Sequence, residues 1–271
     1  MALDRSPTTG ALLLLAATGS MLAAAPVHAK PKDPKPESHE YKLTLHDKPV
    51  GTETLRIQRG AQGLYYSTQA SLQDKVKKVW RSFAQRAHLP LSLHGDVTQY
   101  DRWIDVTGAT SSAKLFQFQG QWRIATQEAA DDGKKPKPRV QDVKLTAPFI
   151  VLDERVQALI ALGADRMAKA GAAEFDFVRV DLATVGRMTL KTEHLQDKAG
   201  ARWSRQVLDG GGMKLEVLRD ALGHAIDVRG VDGWRAVHAK LAGPKGALEV
   251  VAGPVSVAPV EPAVAATPTS K

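Results

Sequence analysis

The chain has 271 residues, of which 43% are hydrophobic and 24% are charged, and its formal net charge at pH 7 is +8. This apolar content supports a folded core and argues against wholesale disorder. The sequence contains no cysteine, which excludes disulfide scaffolds, cysteine zinc sites, iron–sulfur clusters and cysteine nucleophiles. The composition therefore indicates a basic globular protein.

Residues 1–29 have the pattern of a secretory signal peptide. Arg5 precedes an apolar run from Gly10 to Ala25, and Val27 and Ala29 place small residues before a cut at Lys30. The run is shorter than the roughly 20 residues that span a bilayer as a helix. We therefore expect export to the periplasm through a cleaved signal peptide, with no membrane span in the mature chain. An uncleaved anchor is the alternative.

Three segments rich in proline or lysine divide the rest of the chain. We predict a flexible linker at residues 30–39, a mobile loop at 129–139 and a disordered tail at 253–271, which leaves one β-rich domain at 40–252. The linker and the loop hold seven basic side chains (Lys30, Lys32, Lys35, Lys134, Lys135, Lys137 and Arg139). Much of the net charge therefore lies outside the folded part.

Apolar and polar residues alternate with a period of two through most of residues 40–252. Tyr41, Leu43 and Leu45 are typical of these runs, which are bounded by Gly, Asp or Pro as in antiparallel strands. Asp-Gly pairs at 132–133, 209–210 and 232–233 suit tight hairpins, because Gly adopts positive φ without strain. The pattern predicts a mainly β fold with a curved antiparallel sheet, as a half-barrel or a barrel.

Two segments have patterns that fit more than one structure. Residues Lys75–Ala87 fit both a helical and a strand period, and the strand-like runs beside them favour a strand. Residues Gly210–Gly212 lack the Gly-x-Gly-x-x-Gly spacing of a phosphate-binding loop. We predict that this glycine run is a turn between two strands.

One amphipathic helix is predicted, from Leu152 to Ala170. Its apolar residues recur every three or four positions, with Asp153 as the N-cap and Gly171 as the C-terminal stop. The polar face mixes acidic and basic residues, whereas a helix that lies on anionic lipid has a more uniformly basic face. We therefore expect this helix to pack on the sheet rather than to lie on a membrane.

Motifs for catalysis are absent from the sequence. It has no Gly-x-Ser-x-Gly elbow, no Walker loop and no His-Glu-x-x-His pair. We therefore predict a protein without enzymatic activity and without a cofactor, and an unrecognised hydrolase stays an alternative. Basic and aromatic residues alternate at 77–83 and 100–103, but any strand shows such alternation, and we predict no nucleic-acid partner.

The histidines give no strong metal site. His88, His94 and Asp96 are the best candidates, but no fourth ligand is near them in the sequence, so ordinary surface histidines are favoured and no metal is predicted. Three further histidines are isolated in the sequence, and each is predicted to be a solvent-facing strand residue: His194, His224 and His238.

Two stretches carry a resemblance to a known family. The residues Tyr41–Ile57 form a strand, a short Pro-Val-Gly turn and a strand, and Met213–Leu241 continue through a turn at Asp220–Gly223 into closing strands. This pattern, over Glu40–Leu241, resembles a family of exported bacterial domains of unknown function that is distantly similar to half-barrel lipoprotein carriers of the envelope. The resemblance implies a curved sheet covered by a helix around an apolar space, and it carries over no catalytic residue.

The function hypothesis follows from that implied space. We expect an exported, non-enzymatic protein that binds a lipid or another apolar ligand, or an envelope component. The candidate ligand-binding residues are the apolar side chains Leu115, Phe116, Phe118, Trp122, Phe175 and Phe177, which plain core packing would also explain. The alternative is a structural or interaction module that acts through its basic flexible segments.

The signal-peptide prediction can be tested directly. Expressed in a bacterium, the chain should be recovered from the periplasm with Lys30 as its first residue, and Ala29→Arg should block this cleavage because signal peptidase requires a small residue there. Intact mass of the periplasmic protein measures the cut. Recovery of the uncut chain in the membrane fraction would favour an anchor instead.

Overall fold

The computed structural model describes residues 35–61, 63–76, 79–106, 109–129 and 137–252. In chain order the strands are β1 (Glu37–Leu45), β2 (Lys48–Gly60), β3 (Gly63–Val76), β4 (Val79–Leu91), β5 (Tyr100–Val106), β6 (Ala109–Phe118), β7 (Gln121–Gln127), β8 (Arg139–Val143), β9 (Phe149–Leu152), β10 (Glu174–Arg179), β11 (Thr184–Asp197), β12 (Arg202–Gly210), β13 (Met213–Arg219), β14 (Ala225–Arg229), β15 (Trp234–His238) and β16 (Leu248–Val250). The helix α1 (Gln157–Lys169) lies between β9 and β10, and a short 3-10 turn, Val231–Gly233, precedes β15.

The strands form one large sheet. Its order is β8-β7-β6-β5-β4-β3-β2-β1-β15-β14-β13-β12-β11-β10-β9, with β16 added to β11. β9 and β10 are parallel, and the other described pairs are antiparallel. The sheet is curved and is not closed into a barrel, since β8 and β9 are its two end strands. The predicted fold class, a mainly β curved sheet with one helix, is confirmed in its half-barrel form.

The strands reach into two of the segments that the sequence left as linker or as ambiguous. β1 begins at Glu37, so the end of the predicted linker pairs with β2. The preference for a strand at Lys75–Ala87 is confirmed, because β3 and β4 occupy this segment on both sides of residues 77–78. The predicted signal peptide, most of the linker, residues 130–136 of the loop and the tail at 253–271 lie outside the described residues.

Turns connect neighbouring strands as the glycine pattern predicted. Gly211 and Gly212 have φ of +61° and +76° in the β12–β13 hairpin, which confirms the predicted turn. The first hairpin differs from its predicted form. It turns at His46 and Asp47, which have positive φ, and the Pro-Val-Gly stretch is already part of β2. The Asp-Gly pair at 132–133 lies outside the described residues.

The predicted start of the helix is wrong by five residues. Leu152 belongs to β9, a wholly buried strand, and α1 begins at Gln157. Asp153 is not the N-cap; Val156 is, and its side chain makes no capping hydrogen bond. The predicted stop is confirmed, because Gly171 has a φ of +64° and its amide bonds to the Ala168 carbonyl oxygen, as in a Schellman motif.

The helix α1 lies against the concave side of the sheet, which we call the inner face. All residues from Gln157 to Ala164 are buried, as is Met167, and the apolar side chains among them join the main hydrophobic core. The first two turns are therefore buried on every side rather than along one stripe. Among the described residues, no helix is long and apolar enough to cross a bilayer.

A buried ion pair holds the chain just before α1. The guanidinium Nη1 of Arg102 lies 3.2 Å from Oδ1 of Asp153, and the Tyr100 hydroxyl donates to Oδ2 of Asp153 at 3.0 Å. The Asp153 side chain is fully buried, and 11% of the Arg102 side chain is exposed. Desolvation raises the pKa of Asp153, although Arg102 opposes this shift. These contacts join β5 to the chain that leads into the helix.

A carboxyl group from β2 caps the N-terminus of α1. Glu53 has no exposed surface, and its Oε2 accepts a hydrogen bond from the Ala158 amide at 3.2 Å. In register with Glu53 across β3 lies Gln85 of β4, which donates to the Arg155 carbonyl oxygen. Together with the contacts that Tyr100 and Arg102 make with Asp153, these bonds tie the start of the helix to three strands of the inner face, β2, β4 and β5.

Glu53 should make stability depend on pH. Burial raises its pKa from 4.5 to about 8, with a further contribution from Asp153 and opposition from the Ala158 and Gln157 amides. The folded chain therefore keeps a proton that the unfolded chain releases. The resulting stabilisation is complete below pH 4.5 and is lost as pH rises to about 8, by at most ~1.4 kcal/mol per pH unit.

Substituting Glu53→Gln should remove this dependence, because the amide mimics the neutral acid at every pH. Urea unfolding from pH 5 to 9 should show the free energy of unfolding of the native chain falling relative to that of the variant. Glu40→Gln, on the exposed side of neighbouring β1, is the matched control. Parallel pH curves for the native chain and Glu53→Gln would contradict a raised pKa.

Breaking the Arg102–Asp153 pair should be costly. Removing one buried partner leaves the other charge uncompensated, so Arg102→Met should lower the free energy of unfolding by about 3–5 kcal/mol. The double variant Arg102→Met/Asp153→Leu should recover part of the loss. Chemical denaturation of both variants measures the effect, and equal losses in the two would show that the cost does not come from an uncompensated Asp153 carboxylate.

Candidate functional site: a cleft around Trp203

An open cleft of about 440 Å³ lies beside the β11–β12 hairpin. Its lining comes from the hairpin, from the turn after β13 and from Val251 and Ala252, which follow β16. This volume falls within the roughly 300–1,000 Å³ range of small-molecule sites. We call it the Trp203 cleft.

The floor of the Trp203 cleft is apolar. Leu195 and Trp203 are directly paired between β11 and β12, and their exposed fractions are 1% and 8%. Together with Ile226 they form a second hydrophobic cluster, separate from the main core. Residue alternation places Trp203 on the outer face of the sheet, because its neighbour Ser204 pairs with Arg219, which bonds to α1.

One wall is built by the C-terminal part of the described chain. β16 pairs with the end of β11, and the Val251 amide donates to the His194 carbonyl oxygen at 3.0 Å. The Asp197 carboxylate fixes the adjoining hairpin turn. The Lys245 amide, with those of Ala201 and Ala199, donates to this carboxylate and lowers its pKa.

The opposite wall is the turn Asp220–Gly223. The Asp220 carboxylate accepts hydrogen bonds from the Leu222 and His224 amides, at 3.0 and 2.8 Å, and its Oδ2 lies 2.9 Å from Nδ1 of the His224 ring. Burial alone would raise the pKa of Asp220, but these hydrogen bonds from His224 lower it overall. The turn is therefore rigidly defined, with an ionised carboxylate at the edge of the cleft.

Behind this wall three histidines come together. Nδ1 of His39 lies 3.4 Å from Nε2 of His238, and the His39 and His224 ring centroids are 6.0 Å apart. Nε2 of His39 lies 2.7 Å from Oε1 of Glu37. Burial lowers the pKa of His238, and the neighbouring His39 and His224 lower it further. The cluster joins β1 to β15, where the two halves of the sheet meet.

Backbone contacts determine which ring nitrogens carry protons in this cluster. Nδ1 of His238 lies 3.2 and 3.1 Å from the Lys240 and Leu241 amides, which can only donate, so Nδ1 must be unprotonated. The proton of neutral His238 is then on Nε2 and is donated to Nδ1 of His39. His39 in turn donates from Nε2 to Glu37.

The prediction that His224 and His238 are isolated, solvent-facing residues is wrong. His238 is only 8% exposed, and 199 residues separate it from its partner His39. No local pattern could have indicated this contact, because it depends on the pairing of the first strand with the last long one. His194 does line the Trp203 cleft.

Metal binding receives no support within the described residues. No group of three or more histidine, aspartate or glutamate side chains there has a geometry that could hold an ion. His88 lies on β4, whereas His94 and Asp96 are exposed in the loop after it. In the histidine cluster, the ring nitrogens described above are engaged in hydrogen bonds.

The candidate ligand-binding residues on β6 and β7 divide between the two faces. Leu115 and Trp122 are buried in the main core, where Trp122 packs edge-on against Phe149. Phe116 and Phe118 point to the opposite face, and 47% of Phe118 is exposed. The three residues chosen on β6 therefore do not share one face, and their role in ligand binding stays a prediction.

The two candidates on β10 are core residues. Phe175 and Phe177 are 3% and 4% exposed. A Cβ atom added at Gly186 or Gly211 would lie 2.6 or 2.4 Å from the Phe177 ring, so these glycines allow the ring to pack against backbone. Such tight packing favours a structural role for Phe177.

A second cleft, of about 500 Å³, opens between β8 and the turn that follows β10. Its lining is mostly polar and includes the hydroxyl groups of Ser111 and Thr126. Arg102 also reaches this cleft, although its guanidinium is already paired with Asp153. The cleft therefore lacks the apolar floor of the Trp203 cleft.

A comparison of the chain with known proteins found no relative. No protein-family model, no curated protein and no solved structure matches the chain.

The proton arrangement of the histidine cluster is testable by NMR. At neutral pH, ¹⁵N-edited ring spectra should show His238 as the Nε2–H tautomer, with a pKa below that of an ordinary histidine. His39→Gln should change the ¹⁵N chemical shift of His238 Nε2, while Nδ1 of His238 should stay a hydrogen-bond acceptor. An Nδ1–H tautomer in the native chain would contradict the described backbone contacts.

Proposed function

We propose that this chain is an exported, non-enzymatic binding protein whose ligand is an amphiphile held in the Trp203 cleft. The observation that carries the proposal is an apolar floor, Leu195 and Trp203, beneath an open cleft with a polar rim. Buried apolar surface supplies affinity in such sites, and a few polar groups orient the ligand.

The position of the helix favours this cleft over the inner face. The resemblance implies an apolar space enclosed by the curved sheet, but α1 lies in that concavity and packs into the main core. Apolar side chains in a core are close-packed, and a ligand there would have to displace them. A cleft on the outer face needs no such displacement.

The rim suits a polar or charged head group. His194, Ser204 and the exposed Arg202 line it, and alternation turns these three side chains to the other face of the hairpin from Trp203. The Asp220 carboxylate stands on the opposite wall. An acidic head would therefore reach the Arg202 guanidinium around the end of the hairpin, while the chain of the amphiphile lies against Trp203.

The remaining parts of the proposal come from the sequence. The pattern of residues 1–29 supports export, and the lack of recognised catalytic motifs supports binding rather than catalysis. A carrier of this kind would act in the periplasm.

Lauric acid is a suitable defined probe, because it combines an alkyl chain with a carboxylate. Calorimetric titration should show saturable binding to the native chain. Ala221→Trp, which fills the cleft from an exposed turn, should weaken binding at least tenfold. Arg202→Gln should weaken it less, because that side chain contacts only the head group.

Leu222→Trp is the matched control. Leu222 is the next residue of the same turn, is 82% exposed and does not line the cleft, so binding should be unchanged. Native mass spectrometry of periplasmic protein should also show a co-purified lipid that Ala221→Trp removes. Absence of both lauric acid binding and a lipid adduct, or equal effects of the two tryptophan variants, would overturn the proposal.

A further inference from the structure

A small groove of about 170 Å³ lies on the outer face of β2, β3 and β4. The face is set by alternation: the neighbours Glu53 and Gln85 point inward to α1, so Thr54 and Arg86 point outward. Arg56 on β2 and Arg86 on β4 stand on the two sides of β3. This groove is far along the sheet order from the Trp203 cleft.

The side chains that line the groove can all donate hydrogen bonds. Besides the two arginines they are Thr54, Ser67, Gln69 and His88; Thr68 also lines the groove, although alternation turns its side chain inward, and no carboxylate lines the groove among the described residues. Register places Ser67 between Arg56 and His88, and Gln69 between Thr54 and Arg86. Two cations thus flank a central strip of hydroxyl and amide groups.

The positive charge of the groove is only weakly neutralised. Arg86 lies 3.7 Å from Asp105, with 59% of its side chain exposed, and within the described residues Arg56 forms no ion pair. Asp101, which is paired with His88 between β4 and β5, is already bonded to Gln99 and lies 3.6 Å from Lys114. Both guanidinium groups can therefore turn toward an anion.

Aromatic packing fixes the histidine of the groove. The His88 ring is 5.5 Å from the Tyr65 ring and 5.2 Å from the Trp103 ring, measured between centroids. Tyr65 on β3 and Trp103 on β5 hold the imidazole between them. A donor held in place loses less entropy on binding than a free surface histidine.

From this arrangement we propose that the groove binds a phosphate group, with Arg56 and Arg86 as its cationic ligands and Ser67, Gln69 and His88 as hydrogen-bond donors. Guanidinium groups bind phosphate oxygens through paired N–H donors, and the groove is large enough for such a group but not for a whole lipid. A soluble phosphate ester and a phospholipid head group both supply this chemistry.

Two probes distinguish these sources. Inorganic phosphate, titrated into the whole chain in phosphate-free buffer, should shift the His88 ring resonances in a saturable manner. Vesicles of phosphatidylglycerol, compared with vesicles of phosphatidylcholine, should co-sediment with the chain if the phosphate belongs to a lipid. Phosphate binding without vesicle binding assigns a soluble ester, and binding of both assigns a head group.

Variants connect the binding to the groove. Arg56→Gln and Arg86→Gln should each weaken phosphate binding about tenfold, and Arg86→Lys should retain part of it because it keeps the charge without the paired donors. The control is Arg187→Gln on β11, which loses the same charge and whose native contact with Asp176 is also 3.7 Å long. All three glutamine variants change exposed side chains, so folding should be retained.

The proposal has clear failing results. It is overturned if phosphate causes no saturable shift of His88, or if Arg187→Gln weakens binding as much as the groove variants, which would indicate unspecific attraction to a basic protein. Lauric acid binding does not involve this groove, so failure here leaves the function proposed for the Trp203 cleft intact.

Discussion

The architecture depends on how the sheet holds the start of α1, the one α-helix among the described residues. A curved sheet with an apolar inner face needs something to cover it, and α1 does so with side chains buried around its first two turns. The amide groups at the start of a helix lack partners within it. Here Glu53 on β2 accepts from one of them, while Arg102 on β5 holds Asp153 just before the helix.

This arrangement determines where a ligand could lie. Polar contacts from β2, β4 and β5 fix the helix start within the concavity, and apolar packing occupies it apart from a cleft of about 300 Å³ between the end of α1 and β3. Open surfaces for a ligand therefore lie mainly on the outer face and at the rims. The Trp203 cleft and the groove between Arg56 and Arg86 are both of this kind, one with an apolar floor and one with donor groups only.

Local patterns predicted the fold class well, because alternation and glycine turns act over a few residues. The helix C-terminus at Gly171 was predicted for the same reason. Its N-terminus was not, since the capping group, Glu53, comes from a strand far away in the sequence, and Asp153 resembled a local cap while pairing with Arg102. The histidine cluster and the Trp203 cleft were missed because strand pairing creates both.

Native-state hydrogen exchange tests the central claim most directly. If contacts with the sheet determine the helix start, the amides at the beginning of α1, that of Ala158 above all, should exchange only by global unfolding, with the same free energy as amides of β3. In Glu53→Ala the Ala158 amide should become the first core amide to exchange. Exchange of the native α1 by a separate opening of lower free energy, with β3 still protected, would contradict the account.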